Sequence, residues 1–231
     1  LNIKLYKDFL FLIILGMLTS LSLPPLNYFF INFLTFSLFF SFLIHKSNGN
    51  ISTKISFFYG WLFGFGYFIT NLYWISLSLT HDPNFRFLIP LSIILIPSFL
   101  SIFYGIVSLS FIILKPKSII SSLLVFSLIF GILELIRGII FTGFPWNLII
   151  YSLSNQLEVL SITSIIGTYG FNLFCISLFT SPAILILKFD KKSLGVFLLF
   201  LVLTISFYIY GIYYEEKFKK INPESFDYKI R

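Results

Sequence analysis

Apolar residues in this sequence form long blocks that are separated by short polar connections. A helix needs about 20 mostly apolar residues to cross the roughly 30 Å hydrocarbon layer of a bilayer. On this criterion the pattern predicts an all-α polytopic membrane protein with about seven transmembrane helices. The predicted spans are Phe9–Leu23, Leu26–Ile44, Ile55–Leu79, Phe87–Leu114, Ser118–Ile140, Val159–Leu187 and Leu194–Tyr214.

The two ends of the chain differ from this pattern. Lys4 and Lys7 precede the first, short apolar stretch, which also resembles a signal peptide. No small-residue cleavage site follows, and another apolar segment comes at once, so we expect an uncleaved first helix. After the last span the chain becomes polar. We therefore divide it into a transmembrane helical domain, 1–214, and a polar tail, 215–231, whose final FDYKIR could open a β-strand.

Composition supports the membrane interpretation and excludes an ordinary soluble domain. Of the 231 residues, 58% are hydrophobic and only 11% are charged, whereas soluble domains carry about 25% charged residues. The net charge of +7 would suggest nucleic-acid binding in a soluble protein. Here the basic residues lie mostly in short connections between apolar blocks, so membrane topology explains them better and we expect no nucleic-acid partner.

The distribution of basic residues predicts the orientation of the chain in the membrane. The connections on one side contain only Arg86 and Arg137. By the positive-inside rule the amino terminus is cytoplasmic, and seven crossings then deliver the carboxyl tail to the periplasmic face. The basic residues on the predicted cytoplasmic side are Lys4, Lys7, Lys46, Lys54, Lys115, Lys117, Lys188, Lys191 and Lys192.

Prolines and glycines predict local features of the spans. Pro90 and Pro97 in the fourth span, and Pro182 in the sixth, lack a backbone donor and should kink their helices. Gly60 and Gly64 offer a small-residue face, which we interpret as a packing surface rather than a dedicated dimer interface. The glycines of GTYGFN, residues 167–172, should let the sixth helix bend.

Glu134 and Arg137 are the conspicuous charges inside a span. They lie three residues apart, so on a helix they share a face and can pair. Lys117 marks the inner boundary, 17 residues before Glu134, which is about 25 Å of helix and places the pair near the outer interface. Two interpretations stay open: a structural ion pair that joins helices, or an arginine that binds a lipid phosphate while the glutamate orients it.

Aromatic and polar residues near the predicted outer face form two candidate clusters. In TGFPWN, Trp146 is typical of the headgroup level and Asn147 can hydrogen-bond there. In NLYWISLSLTHDPNFR, Tyr73 and Trp74 suit the same depth. The His81 and Asp82 pair of this stretch could serve acid–base chemistry, but a solvated interfacial loop is the better interpretation.

Cys175 is the only cysteine, so no disulfide can form within the chain. It has no basic neighbour in sequence, and apolar surroundings suppress the thiolate, so we interpret it as a core residue. The sequence contains no metal-ligand spacing, phosphate loop or serine-type nucleophile motif. We therefore assign no catalytic residue, metal or cofactor.

Three stretches resemble the family of bacterial apolipoprotein N-acyltransferases. They are GWLFGFGYFITNLYWI, ELIRGIIFTGFPWN with the following Tyr151, and IIGTYGFNLF, residues 60–75, 134–147 and 165–174. Their order and spacing also fit, and RGxxFTGFPW is the most specific piece. The resemblance covers essentially the whole chain but only the amino-terminal membrane half of the family.

The resemblance implies an acyltransferase of lipoprotein maturation in the bacterial inner membrane. The family transfers an acyl chain from a phospholipid to the amino-terminal diacylglyceryl-cysteine of a lipoprotein. The reaction uses a cysteine thioester, with a glutamate and a lysine, in a nitrilase-like domain. None of those residues matches a position here, and Cys175 is not that nucleophile, so we expect no acyl transfer by this chain alone.

The tasks left to this chain are then to hold a nitrilase-like domain, in cis or in trans, against the bilayer and to admit both lipid substrates. We hypothesise that Glu134 and Arg137 form the outer rim of the lipid access and that TGFPWN shapes the cleft. The alternative is a non-enzymatic polytopic lipid-binding scaffold or small transporter, although a transporter more often shows inverted repeats and midplane polar residues. A further possibility is a related membrane domain joined to a different partner.

Overall fold

The computed structural model describes residues 3–49, 51–141 and 143–220, and within these ranges it contains helices and no strand. Three 3₁₀ helices, Tyr73–Thr80, Pro83–Leu88 and Ile149–Leu153, lie in the connections. The α-helices are α1 (Ile3–Ser20), α2 (Ile31–Ser47), α3 (Thr53–Leu72), α4 (Ile89–Leu114), α5 (Ile119–Ile139), α6 (Leu157–Leu160), α7 (Thr163–Thr180), α8 (Pro182–Leu187) and α9 (Lys191–Lys219).

The helices confirm the all-α polytopic class. Five helical stretches of the described chain are long and apolar enough to cross a bilayer, and α2 is apolar but shorter, with 17 residues. α1 has 18 residues and includes the charged Lys4, Lys7 and Asp8. The predicted number of seven crossings therefore rests on α1 and α2 as well. The five long stretches are Thr53–Thr80, Pro83–Leu114, Ile119–Ile139, Thr163–Leu187 and Lys191–Lys219.

Several predicted boundaries were wrong, for local reasons. α1 ends at Ser20 and α2 begins only at Ile31, because the residues between them form turns. The third span changes to a 3₁₀ helix at Tyr73. The last span extends beyond Tyr214, so residues 215–219 of the predicted polar tail belong to α9. The FDYKIR segment lies outside the described residues.

Pro90 and Pro182 lie at helix boundaries, whereas Pro97 and Gly167 lie inside helices. The predicted kink at Pro97 of α4 stays a prediction. Pro90 lies in the first turn of α4, where its missing N–H is no loss, so the expected kink there was wrong. Pro182 is the first residue of α8, so the predicted sixth span is interrupted at Ser181, next to this proline. The expected bend in GTYGFN is confirmed, because Gly167 interrupts α7 with φ +73° and ψ 165°.

α3 packs against both α1 and α4, and its glycines allow the closest approach. A Cβ on Gly60 would overlap the carbonyl oxygen of Tyr104 on α4, and one on Gly64 would lie 2.8 Å from the Tyr104 Cβ. The interpretation of these glycines as a packing surface is confirmed. Elsewhere the interior is aromatic: the rings of Phe39 and Phe63 stack with centroids 4.1 Å apart.

Contacts between connections establish the two ends of the bundle. At one end Lys46 forms an ion pair with Asp8, which joins the end of α2 to the start of α1. At the opposite end the Ser154 hydroxyl donates to Asn27 Oδ1 at 3.1 Å. Residues of the connections 21–30, 73–88 and 140–162 also line one common cleft, so these connections share one end, which we call the cleft end. The predicted orientation would place this end at the periplasmic face.

Candidate functional site

The segment after α5 turns sharply at the cleft end. Among the described residues of 140–148, three have positive φ: Phe141 at +51°, Gly143 at +83° and Asn147 at +59°. Glycine is required at 143 for a second reason, because a Cβ there would lie 2.5 Å from the carbonyl oxygen of Gly138. Asparagine tolerates the left-handed region better than most residues. Such a conformation persists only where surrounding contacts hold it.

Glu134 lies in the interior of the bundle, and both of its carboxylate oxygens accept hydrogen bonds. Its Oε1 accepts from the Tyr104 hydroxyl at 3.0 Å and from Arg137 Nη2 at 3.3 Å. Its Oε2 accepts from Asn172 Nδ2 at 2.6 Å. These four side chains, which we call the buried polar network, connect α4, α5 and α7.

Arg137 fastens the turning segment to this network. Its Nη1 donates to the carbonyl oxygens of Phe144 and Trp146, each at 2.9 Å. Its guanidinium carbon lies 5.4 Å from the centre of the Phe68 ring, and its side chain is 0% exposed. The contact with a lipid phosphate stays a prediction, and it would require this side chain to leave its present partners.

Two further side chains hold the same segment. The Tyr67 hydroxyl, on α3, donates to the carbonyl oxygen of Asn147 at 3.0 Å. Asn172 Oδ1 accepts from the backbone N–H of Ile150 at 2.9 Å. Sequence reasoning had missed the roles of Tyr67, Tyr104 and Asn172. The available signal was a hydrogen-bonding side chain inside an apolar helix, although nothing in the pattern paired it with a partner.

A cleft of about 900 Å³ opens beside the segment at the cleft end. Tyr73, Trp74, Trp146 and Asn147 all line it, so the structure brings these predicted site residues together from two connections. Glu134 and Arg137 are not among the lining residues. They lie behind the segment that carries Trp146 and Asn147, and Arg137 instead lines a separate cavity of about 380 Å³ against α4.

The walls of the cleft are amphipathic. The carboxyl half of α1 contributes apolar side chains such as Met17 and Leu18. The opposite wall carries hydrogen-bonding groups, among them the indoles of Trp74 and Trp146. Partial burial raises the pKa of the Tyr151 phenol, another lining group, above its ordinary value, so this group is a neutral donor at neutral pH.

The remaining candidates lie elsewhere. Cys175 is fully buried, which confirms the interpretation as a core residue. His81 and Asp82 are exposed, and the Asp82 carboxylate accepts from the Asn84 N–H at 2.9 Å as a cap. In the ranges that the structure describes, no group of three or more histidine, cysteine or acidic residues could hold a metal ion.

Comparison with known proteins agrees with these features. The family model described as the apolipoprotein N-acyltransferase N-terminal domain matches residues 15–181. The chain is 33% identical over 186 residues to the apolipoprotein N-acyltransferase of Rhizobium rhizogenes, a match that covers 78% of this chain and 35% of the relative. The enzyme of that name from Rhodopseudomonas palustris is 33% identical over 188 residues, covering 78% of this chain and 34% of the relative.

A third relative, the apolipoprotein N-acyltransferase of Brucella melitensis, is 35% identical over 127 residues, which are 54% of this chain and 24% of the relative. The matched segments thus span at most about a third of the length of these relatives. The family model, however, covers well over half of this chain, including the buried polar network and the segment that it holds. The chain therefore belongs to the family of apolipoprotein N-acyltransferase N-terminal domains.

Proposed function

We propose that this chain is the membrane part of an enzyme that transfers an acyl chain from a phospholipid to the amino-terminal diacylglyceryl-cysteine of lipoproteins in a bacterial inner membrane. The family match and the names of the relatives support acyl transfer to apolipoproteins. In this proposal the chain holds a nitrilase-like catalytic domain, in cis or in trans, at the cleft end and admits the lipid substrates there. It supplies no catalytic residue.

The observation that carries the proposal is the amphipathic cleft. Its 900 Å³ lies at the upper end of the about 300–1,000 Å³ that is usual for ligand sites. Apolar side chains of α1 suit acyl chains, and the polar wall suits the oxygens of a lipid at the membrane surface. An opening at the end of the bundle would present an acyl carbonyl at the interface, where a water-exposed domain can reach it.

Glu134 and Arg137 act in this proposal as positioning residues. The ion pair and its partners fix the backbone of residues 144–150, and this fixes the wall formed by Trp146 and Asn147. Preorganisation of this wall reduces the ordering cost when a lipid binds.

Photo-crosslinking tests the proposal. The protein is reconstituted with a phospholipid that carries a diazirine in its acyl chain, and the labelled residues are mapped by mass spectrometry. We expect the residues that line the cleft, including Met17 and Leu18 of α1, to be labelled to a greater extent than the lipid-facing residues of α9. Ser20→Trp should fill the cleft and lower the labelling there to the α9 level. Ser206→Trp, on the exposed side of α9, is the matched control.

Acyl transfer is tested separately. The protein is combined with a nitrilase-like acyltransferase domain and a diacylglyceryl lipopeptide, and the gain of one acyl chain is measured by mass. We expect transfer with the original chain and with Ser206→Trp, but not with Ser20→Trp. Cleft labelling without transfer would favour the non-enzymatic lipid-binding scaffold, and no specific labelling would contradict both functions.

A further inference from the structure

In the part of the chain that the structure describes, no charged residue lines the cleft. All the described residues that line it are apolar or uncharged polar residues. Lysine and arginine side chains are the usual partners of lipid phosphates. Arg137 lies behind the segment that carries Trp146 and Asn147. Its side chain is 0% exposed, and both of its terminal nitrogens donate hydrogen bonds within the chain.

The polar wall offers donors without internal partners. The indole N–H groups of Trp74 and Trp146, the Tyr73 hydroxyl and the Asn147 amide donate no hydrogen bond to any described residue through their side chains. An indole N–H can only donate, and the other two groups can both donate and accept. Ester carbonyl oxygens, which only accept, complement such a wall.

We propose that the cleft recognises the uncharged, ester-bearing diacylglyceryl part of a lipid and leaves the phosphate headgroup outside. This inference rests on the proposed function and names the chemical group that the same cleft binds. The acyl chains lie against the apolar side of α1, and the ester oxygens accept from the donors of the opposite wall.

The relative costs favour this assignment. A phosphate drawn into a cleft without a cation loses its hydration and gains no opposite charge, and burial of an unpaired charge is far more costly than burial of a neutral group. An ester oxygen needs only a neutral donor. Lipids that share the diacylglyceryl group but differ in headgroup should therefore bind with similar affinity.

Tryptophan fluorescence can measure this directly, because two of the three tryptophans line the cleft. The third, Trp61, donates to the Ser98 carbonyl oxygen outside the cleft, and Trp61→Phe removes its signal. The variant in detergent is titrated with lipids brominated in their acyl chains: a diacylglycerol, a phosphatidylethanolamine and a phosphatidylglycerol. We expect quenching with affinities that agree within about threefold, a difference of about 0.65 kcal/mol, and that do not fall as salt is raised.

A phosphatidylglycerol affinity more than about tenfold above that of diacylglycerol, lost at high salt, would overturn the inference while leaving the proposed function intact. Quenching by none of the three lipids would instead contradict lipid binding in the cleft, and with it the proposed function. The two failures are therefore distinguishable.

A double variant tests the role of the hydrogen-bond donors in the polar wall. Tyr73→Phe with Asn147→Gly removes a hydroxyl and an amide, and glycine keeps the positive φ at 147. We expect all three lipids to bind more weakly by a similar factor, about three- to tenfold. Tyr6→Phe, an exposed tyrosine near the start of α1, is the control and should change nothing. Unchanged affinity for every lipid in the double variant would show that these donors do not bind the ester oxygens of the lipid.

Discussion

Two connections at the cleft end, residues 73–88 and 140–154, both supply aromatic side chains to the cleft but are held in different ways. Among the described residues, four hydrogen bonds that involve buried or half-buried side chains fasten 140–154 to the helices: Arg137 donates two, Tyr67 donates one and Asn172 accepts one. In 73–88 the side-chain bonds form within the segment itself, for example from Arg86 to the Thr80 carbonyl oxygen at 3.3 Å.

The two connections, which form the Trp74 part and the Trp146 part of the polar wall, should therefore differ in rigidity. Ser76 is the only buried residue of the two 3₁₀ helices in 73–88, and the second of them, Pro83–Leu88, has none. Segments with few buried contacts open at a lower free energy than the elements that pack in the interior. The wall with Trp146 is thus preformed, whereas the wall with Trp74 can adjust when a lipid enters.

Arg137→Ala should have the largest effect on the difference between the two connections. It removes three hydrogen bonds and leaves the Glu134 carboxylate buried without its cation, a change that costs about 3–5 kcal/mol for buried pairs. Reversible unfolding in mixed micelles measures the loss. The matched control is Arg86→Ala, in the exposed segment, which should change the free energy of unfolding little. Equal losses would mean that 140–154 is held no more firmly than 73–88.

Asn172→Ala should have an intermediate effect. The change removes a donor from Glu134 and leaves the buried Ile150 N–H without its acceptor, at a cost of about 1–3 kcal/mol. Hydrogen exchange should show faster exchange of the Ile150 amide than in the original chain. Asn71→Ala, which removes a bond to the Tyr67 carbonyl oxygen, is the control and should leave the Ile150 amide protected. Unchanged exchange in Asn172→Ala would contradict the fastening of 140–154 by this side chain.

Asp82→Ala should have the smallest effect, and it changes the segment 73–88 instead of 140–154. It removes an exposed cap, the bond from the Asn84 N–H, and costs about 0.5 kcal/mol. We expect faster hydrogen exchange in residues 83–88 and no change in residues 144–150. Transmission of the change to 144–150 would show that the two walls are one cooperative unit.

The fold could be predicted from the sequence where one physical effect dominates. Apolar length located the spans, and the glycines of GTYGFN located the bend at Gly167. Boundaries failed where the apolar pattern continues through a change of backbone, as at Tyr73, where the α-helix becomes a 3₁₀ helix of similarly apolar residues. Hydropathy does not distinguish these two conformations.

The site was predictable to the extent that it depends on local chemistry. Aromatic residues typical of the membrane interface identified the residues of the cleft wall, and the spacing of three identified the pairing of Glu134 with Arg137. The remaining partners of Glu134, Tyr104 and Asn172, lie 30 and 38 residues away in sequence. Their proximity is a product of helix packing, which no periodicity within one span reveals.

The placement of both charges on α5 has a consequence for the order in which the protein assembles. A single helix that carries Glu134 and Arg137 at i and i+3 can enter the bilayer as an internally neutralised unit, which lowers the cost of insertion. The Tyr104 hydroxyl belongs to a helix synthesised earlier and can join the pair at once. The Trp146 carbonyl and Asn172 emerge later, so the ion pair exists before the cleft wall that it will hold.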